Sequence, residues 1–242
     1  MPQKIKPKSA LLIVDVQNDF ISGTLSLLNC PSKHNGNEIV PKINTFLTKH
    51  EKDFDQIIWS RDWHPKDHIS FYENREIYKK PEGQLFEKVE LIRKNDKNGN
   101  SEKYQQILWP AHCVQDTYGA EYHKDLIKPN LNSNVQNTKH KEILKGQNPI
   151  CEAYSAFFDN YHENETGLHN EIKEKIENLY IVGIATDVCV NFAVLDSLEL
   201  GYKVFVVMEG CRGVDEKVIE EEVLPDWKKK GAVILERFDE LE

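Results

Sequence analysis

Asp15, Lys145 and Cys189 are the residues of this 242-residue chain whose surroundings most suggest reaction chemistry. Asp15 closes the apolar run "LLIVD", Lys145 closes "EILK", and Cys189 comes shortly after "LYIVGI". A fourth run, "QIIWS", leads into "RDWHPKDHIS", where Asp62 and His64 stand two apart and His68 follows beyond a proline. Residues two apart on an extended segment leave the same face, so Asp62 and His64 can act together. In open parallel sheets, ligands bind at the carboxyl ends of the strands. Four strand ends would thus bring an acid, an acid–imidazole pair, an amine and a thiol to one rim. Each has a plainer reading. A carboxylate after a strand is often a cap, a cysteine in an apolar helix is often inert core, and "SRDWHPKDHIS" taken alone reads equally as a charged surface loop. Their coincidence on one rim is what argues for chemistry.

That chemistry is coherent. A free thiol has a pKa of about 8.5, and a helix N-terminus and a nearby ammonium both favour the thiolate, as expected for Cys189 beside Lys145. Asp15 takes a proton as general base, while Lys145 holds Asp15 and balances its charge. The turn Ile184–Ala185–Thr186 offers backbone N–H groups to an oxyanion. One such donor is worth about 2.7–4 kcal/mol in a transition state. The implied reaction is acyl transfer through a thioester, with amide hydrolysis as its simplest outcome. A further stretch, "LWPAHCVQDTYGAEYH" (108–123), carries His112. If it folds back over the rim, His112 joins Asp62 and His64. One carboxylate with two imidazoles suits Zn²⁺, or alternatively Fe²⁺ or Mn²⁺.

These residues need a frame. Strand-length runs recur at 10–16, 56–60, 142–146, 179–184, 203–209 and 232–236. Most are continuous rather than alternating, as in strands buried on both faces of a parallel sheet. Helical patterns fall at 37–52, 167–179, 188–202 and 215–231, with Pro41 near a first turn and Gly201 and Gly231 at expected C-caps. The expected fold class is α/β: a three-layer, mostly parallel sheet of about six strands with helices on both faces. We expect a single domain over 1–242, carrying a loop-rich insertion at about 71–140 with no clear strand. Within it, "RKNDKNGNSEK" and "KPNLNSNVQNTKH" read as solvated loops.

Composition narrows the class. Net charge is −9, and no basic block is interleaved with aromatics, which argues against nucleic acid. No stretch approaches the roughly 20 apolar residues of a membrane span. The start "MPQKIKPKSALLIVDV" only faintly imitates a signal peptide, since its apolar run stops at Asp15 with no cleavage site after it. Five scattered cysteines with no CxxC point to free thiols in a reducing compartment. The expectation is a soluble cytoplasmic protein, with a homo-oligomer left open.

Taken together, "IVDVQNDF", "SRDWHPKDHISF", "WPAHCVQDTYGAEYH", "LKG…EAYSAFF" and "GIATDVCV" resemble the nicotinamidases, within the isochorismatase-like cysteine hydrolases. Five segments occur in the right order between residues 10 and about 210. The resemblance implies hydrolysis of nicotinamide to nicotinate and ammonia, feeding NAD salvage. It implies a triad at Asp15, Lys145 and Cys189, and oxyanion donors at the backbone N–H groups of Ala185 and Cys189. It implies metal ligands at Asp62, His64 and His112, with the metal holding the pyridine nitrogen. The aromatic pocket falls on Phe20, Trp109 and Tyr154, and a cis peptide before Ala185 is typical of the family. His68 matches a position that ligates in some members only. The insertion between His68 and Trp109 is longer than in compact bacterial members. The rivals are another amidase of the superfamily, acting on N-carbamoyl or pyrazinamide-like amides, and a non-catalytic metal-binding scaffold. The metal set argues against an N-carbamoyl amidase, and the complete triad against the scaffold.

Overall fold

The computed structural model describes residues 3–94, 101–127, 134–135 and 138–241. Every residue of β1 (Ser9–Val14) is buried, and so is every residue of β7 (Asn178–Ile184). The two strands are neighbours in the middle of a sheet, which is why their sequences are apolar without alternation. Outward from β1 lie β2 (Gln56–Asp62), β6 (Thr138–Lys145) and the short antiparallel edge β5 (Asn134–Val135). Outward from β7 lie β8 (Lys203–Arg212) and β9 (Val233–Leu235). The sheet order is β5-β6-β2-β1-β7-β8-β9, parallel apart from β5.

The chain therefore runs outward from β1 and returns to place β7 beside it. This makes the β1/β7 boundary a topological switch point, where a crevice opens at the carboxyl ends. At that boundary Gly183 has φ +131, and a Cβ there would run into the Val14 backbone, so only glycine lets the two strands close up.

Helices flank the sheet. After β1 come the short α1 (Asn18–Ile21) and α2 (Ile39–His50), while α3 (Leu168–Ile172) precedes β7 and α4 (Cys189–Glu199) follows it. Right-handed crossovers leading in opposite directions from β1 and β7 put α2 and α4 on opposite faces. The expected helix at 215–231 is interrupted. It forms α5 (Glu216–Val218), a π turn over Ile219–Val223, and α6 (Leu224–Lys230). Pro225 explains this: it has no N–H to donate, and its ring would clash with the carbonyl four residues back, so the backbone widens ahead of it. Trp227 on α6 is fully buried and donates its Nε1–H to Asn191 on α4 at 2.7 Å. The expected helix at 167–179 shrinks to α3, because Asn178 and Leu179 already belong to β7.

The region 71–140 holds more order than its composition implies. β3 (Lys88–Lys94) pairs antiparallel with β4 (Ser101–Ile107) in a separate hairpin. Val89 and Leu91 turn inward and form a small second core with Ile69 and Leu108. With only two apolar residues on that face, among lysines and glutamates, the pattern is too thin to read as strand. Residues 95–100 of the first expected solvated loop, and 128–133 and 136–137 of the second, lie outside the described residues. Among the described residues no helix is long and apolar enough to cross a membrane.

Candidate active site and metal centre

Parallel register delivers the polar groups to one end of the sheet. Asp15 directly follows β1, Asp62 ends β2, Lys145 ends β6, and Cys189 is the first residue of α4. Asp62 and Lys145 are register partners. Asp15 has a left-handed φ of +49, so its carboxylate leaves the strand direction and turns into the crevice.

The buried Lys145 ammonium is the hub. Its Nζ lies 2.8 Å from Asp15 Oδ2 and 3.5 Å from Cys189 Sγ, and it also bonds Asp62 Oδ1. The Ala153 carbonyl accepts a further bond from it at 3.3 Å. Ser60 donates its hydroxyl to Asp15 Oδ1 at 2.6 Å. Burial pushes the Asp15 carboxyl up to about 6, against the pull of Lys145 and with the help of Asp62. Burial lowers the Lys145 pKa, but the Asp15 and Asp62 carboxylates overrule it and hold the ammonium well above its usual range.

Cys189 departs from expectation. Burial raises its thiol well above the ordinary value, and Lys145 only partly opposes this while Asp62 and Asp15 reinforce it. The resting group is a thiol, not the expected thiolate: desolvation and two carboxylates outweigh the ammonium and the helix N-terminus. Such a thiol needs a base on hand, and Asp15 stands within 4.8 Å of it.

Donor atoms of Asp62, His64 and His112 also lie within 4.8 Å of one another, all buried. His64 Nε2 is 3.6 Å and His112 Nε2 is 3.8 Å from Asp62 Oδ2. The His64 Nδ1–H donates to the Gly146 carbonyl, and the His112 Nδ1–H to the Pro110 carbonyl, both at 2.8 Å. Those bonds fix each ring and leave Nε2 pointing inward, as metal-bound imidazoles require. Gly146 has φ +66, and any Cβ there would strike the His64 ring. His64 Nε2 is buried with no hydrogen-bond partner. Burial alone would lower the His64 pKa, yet the Glu152 and Asp62 carboxylates drive it up to about 9. The set fits a divalent metal.

His68 falls outside the Asp62, His64 and His112 set, in a second group with His64 and Glu152. Its Nδ1 accepts from the Ser70 hydroxyl at 2.7 Å and its Nε2 faces the Cys151 carbonyl at 3.3 Å. Burial and the neighbouring His64 depress it to about 3, so it is neutral.

Three residues without a role in the sequence reading support the site. The Gln17 side chain clamps Asp62, donating to its carbonyl at 2.8 Å and accepting from its N–H at 2.9 Å. Asp19 accepts from Cys113 N at 2.7 Å and Thr24 N at 3.1 Å, pinning the segment that carries His112. Glu152 is 1% exposed beside His64 and His68. A glutamate inside "CEAYSAFF" was the available signal, since charges in apolar runs are rarely buried without a partner.

Next to these groups lies a narrow slot lined by Phe20, Leu25, Trp109, Tyr154, Val188 and Val214, with Asp62, His112, Ala185 and Cys189 as its polar and catalytic lining. Trp109 donates its Nε1–H to the Tyr154 hydroxyl at 2.9 Å, fixing both rings. The Ile184–Ala185 peptide is cis, as the resemblance implied. The Cys189 N–H opens α4 and is among the donors a helix start leaves free. A wider cleft between α2 and the C-terminal segment, lined by Phe46 and Phe238, is separate from these groups.

The Isochorismatase domain profile matches residues 9–237. The chain is 37% identical over 210 residues to the nicotinamidase of Escherichia coli K12, covering 86% of this chain and 85% of that one. Its structure is similar to yeast nicotinamidase bound to the inhibitor nicotinaldehyde, with a TM-score of 0.80 and 27% identity over 95% of this chain and 100% of that one. It is also similar to the pyrazinamidase of Pyrococcus horikoshii in complex with zinc, with a TM-score of 0.67 and 31% identity over 95% and 99% of the two chains.

Proposed function

The chain belongs to the isochorismatase family, and from that premise we propose that it hydrolyses nicotinamide to nicotinate and ammonia, feeding NAD salvage. The observation that carries this reading is the aromatic slot with a thiol–carboxylate–ammonium cluster and a cation donor set beside it. A plain amidase has no use for a cation beside its thiol. A substrate with a ligating ring nitrogen does.

In the mechanism, Phe20, Trp109 and Tyr154 hold the pyridine ring in the slot. Cys189 Sγ attacks the amide carbon as Asp15 accepts the thiol proton. The backbone N–H groups of Ala185 and Cys189 stabilise the oxyanion. Asp15 then gives the proton to the leaving nitrogen, so ammonia departs and a thioester remains. Water, deprotonated by Asp15, attacks the thioester, releasing nicotinate and restoring the thiol. Lys145 keeps Asp15 in place throughout. Asp62, His64 and His112 would hold the metal, Zn²⁺ first with Fe²⁺ or Mn²⁺ as alternatives. When bound, it supplies a Lewis-acid contact that orients the ring nitrogen. His68, with both nitrogens engaged by its own surroundings, packs against the centre rather than ligating.

Metal-loaded protein is expected to release ammonia from nicotinamide, and chelator-stripped protein to lose most of that rate and regain it on adding Zn²⁺. No ammonia from folded, loaded protein would sink the reading. Asp62→Ala and His112→Ala are each expected to lower metal content and raise KM more than His68→Ala does. Equal metal loss in all three would make His68 a ligand.

A further inference from the structure

We propose that Glu152 is a further acidic member of the metal centre, holding a water of the ion's shell and supplying the negative charge that sets cation affinity. This rests on Asp62, His64 and His112 being the metal site. Glu152 is 1% exposed, and its Oε1 accepts from the adjoining Ala153 N–H at 2.8 Å. Its Oε2 is buried and has no hydrogen-bond partner among the described residues. A buried carboxylate left like this is strongly destabilising unless a cation compensates it.

Among the described residues no lysine or arginine does so. Lys145 is the ammonium of the cluster, and it is taken by Asp15 and Asp62. What faces Glu152 is imidazole: His64 Nε2 at 3.8 Å from Oε1 and His68 Nδ1 at 3.9 Å from Oε2. Three buried carboxylates thus share one ammonium. One divalent cation, with both imidazoles neutral, brings the group to charge balance.

Geometry decides how Glu152 reaches that cation. Two donor sets meet here, one of Asp62, His64 and His112 and the other of His64, His68 and Glu152, with His64 common to both. Glu152 Oε1 lies 3.8 Å from the same His64 Nε2 that stands 3.6 Å from Asp62 Oδ2, so it borders the first set without belonging to it. A carboxylate so placed acts by charge and hydrogen bonding, in the manner of outer partners whose loss weakens metal affinity about 10–100-fold.

The test uses metal-free protein, Zn²⁺ and a competing chelator. Glu152→Gln keeps the shape and removes the charge. It is expected to bind Zn²⁺ about 10–100-fold more weakly. A merely structural glutamate would leave Zn²⁺ affinity unchanged in this isosteric variant. If folded Glu152→Gln protein binds Zn²⁺ within about twofold of wild type, the proposal is overturned. Glu152→Asp, which keeps the charge, is expected to retain affinity closer to wild type; losing as much as Glu152→Gln would overturn the charge argument. Wild-type protein that binds no Zn²⁺ would instead remove Asp62, His64 and His112 as a metal site, a separate failure.

Discussion

Cys189→Ala protein is expected to lose nicotinamide turnover by roughly 10⁶-fold, the scale seen when the nucleophile of an acyl-transfer site is removed, while keeping its metal. Cys189 lines the slot, and its neighbours there are Asp15 and Lys145, which hold and move protons. No spare thiol can take over, because the neighbouring Cys113 and Cys151 are buried, outside the residues that line the slot. Metal retention follows from the donor geometry. The Sγ groups with Asp15 and Asp62, not with the His64 and His112 imidazoles. Ammonia release and metal content, measured on one preparation, decide it. A variant that loses its metal would show the thiol to be a ligand, and one that keeps its rate would show another nucleophile.

The second large effect concerns Asp15. Its carboxyl sits at about 6, and the base must be ionised to accept the thiol proton. Below that pH the protonated form accumulates, so kcat/KM is expected to fall about tenfold per unit and to level off above it. Because Cys189 stays a thiol well past neutrality, thiolate already present cannot rescue the rate on the acid side. Asp15→Asn is expected to lower kcat by about 10²–10⁴-fold and to flatten the acid limb. An acid limb that survives unmoved in Asp15→Asn would belong to another group, and Asp15 would not be the base.

Both predictions depend on groups that were legible before any folding. Asp15, Asp62, Lys145 and Cys189 each end or follow an apolar run, and parallel strands send such ends to one rim. The sheet itself was legible for the same reason, since continuous runs of strand length such as "ALLIV" and "LYIVGI", alternating with helical patterns, fit strands covered on both faces. The β3–β4 hairpin was not. Its inward face holds two apolar residues, and what secures it is a small core with Ile69 and Leu108 that no local pattern announces. The π turn before Pro225 was hidden by a good helical period on both sides of it.

What the sequence determined by itself, then, is the inventory and its order along the chain: strand ends bearing an acid, an acid–imidazole pair, an amine and a thiol, and a distant His112. Only the tertiary structure decided how these groups act on one another. It turned Lys145 into a bridge between Asp15 and Asp62, left Cys189 a thiol, tied His68 to Ser70 and Cys151, and enclosed Glu152 without a fixed cation. The physical reason is that residue type and spacing follow from the covalent chain. Protonation state and ligand role depend instead on desolvation and on charges within a few ångströms, and those neighbours come from segments far apart in sequence.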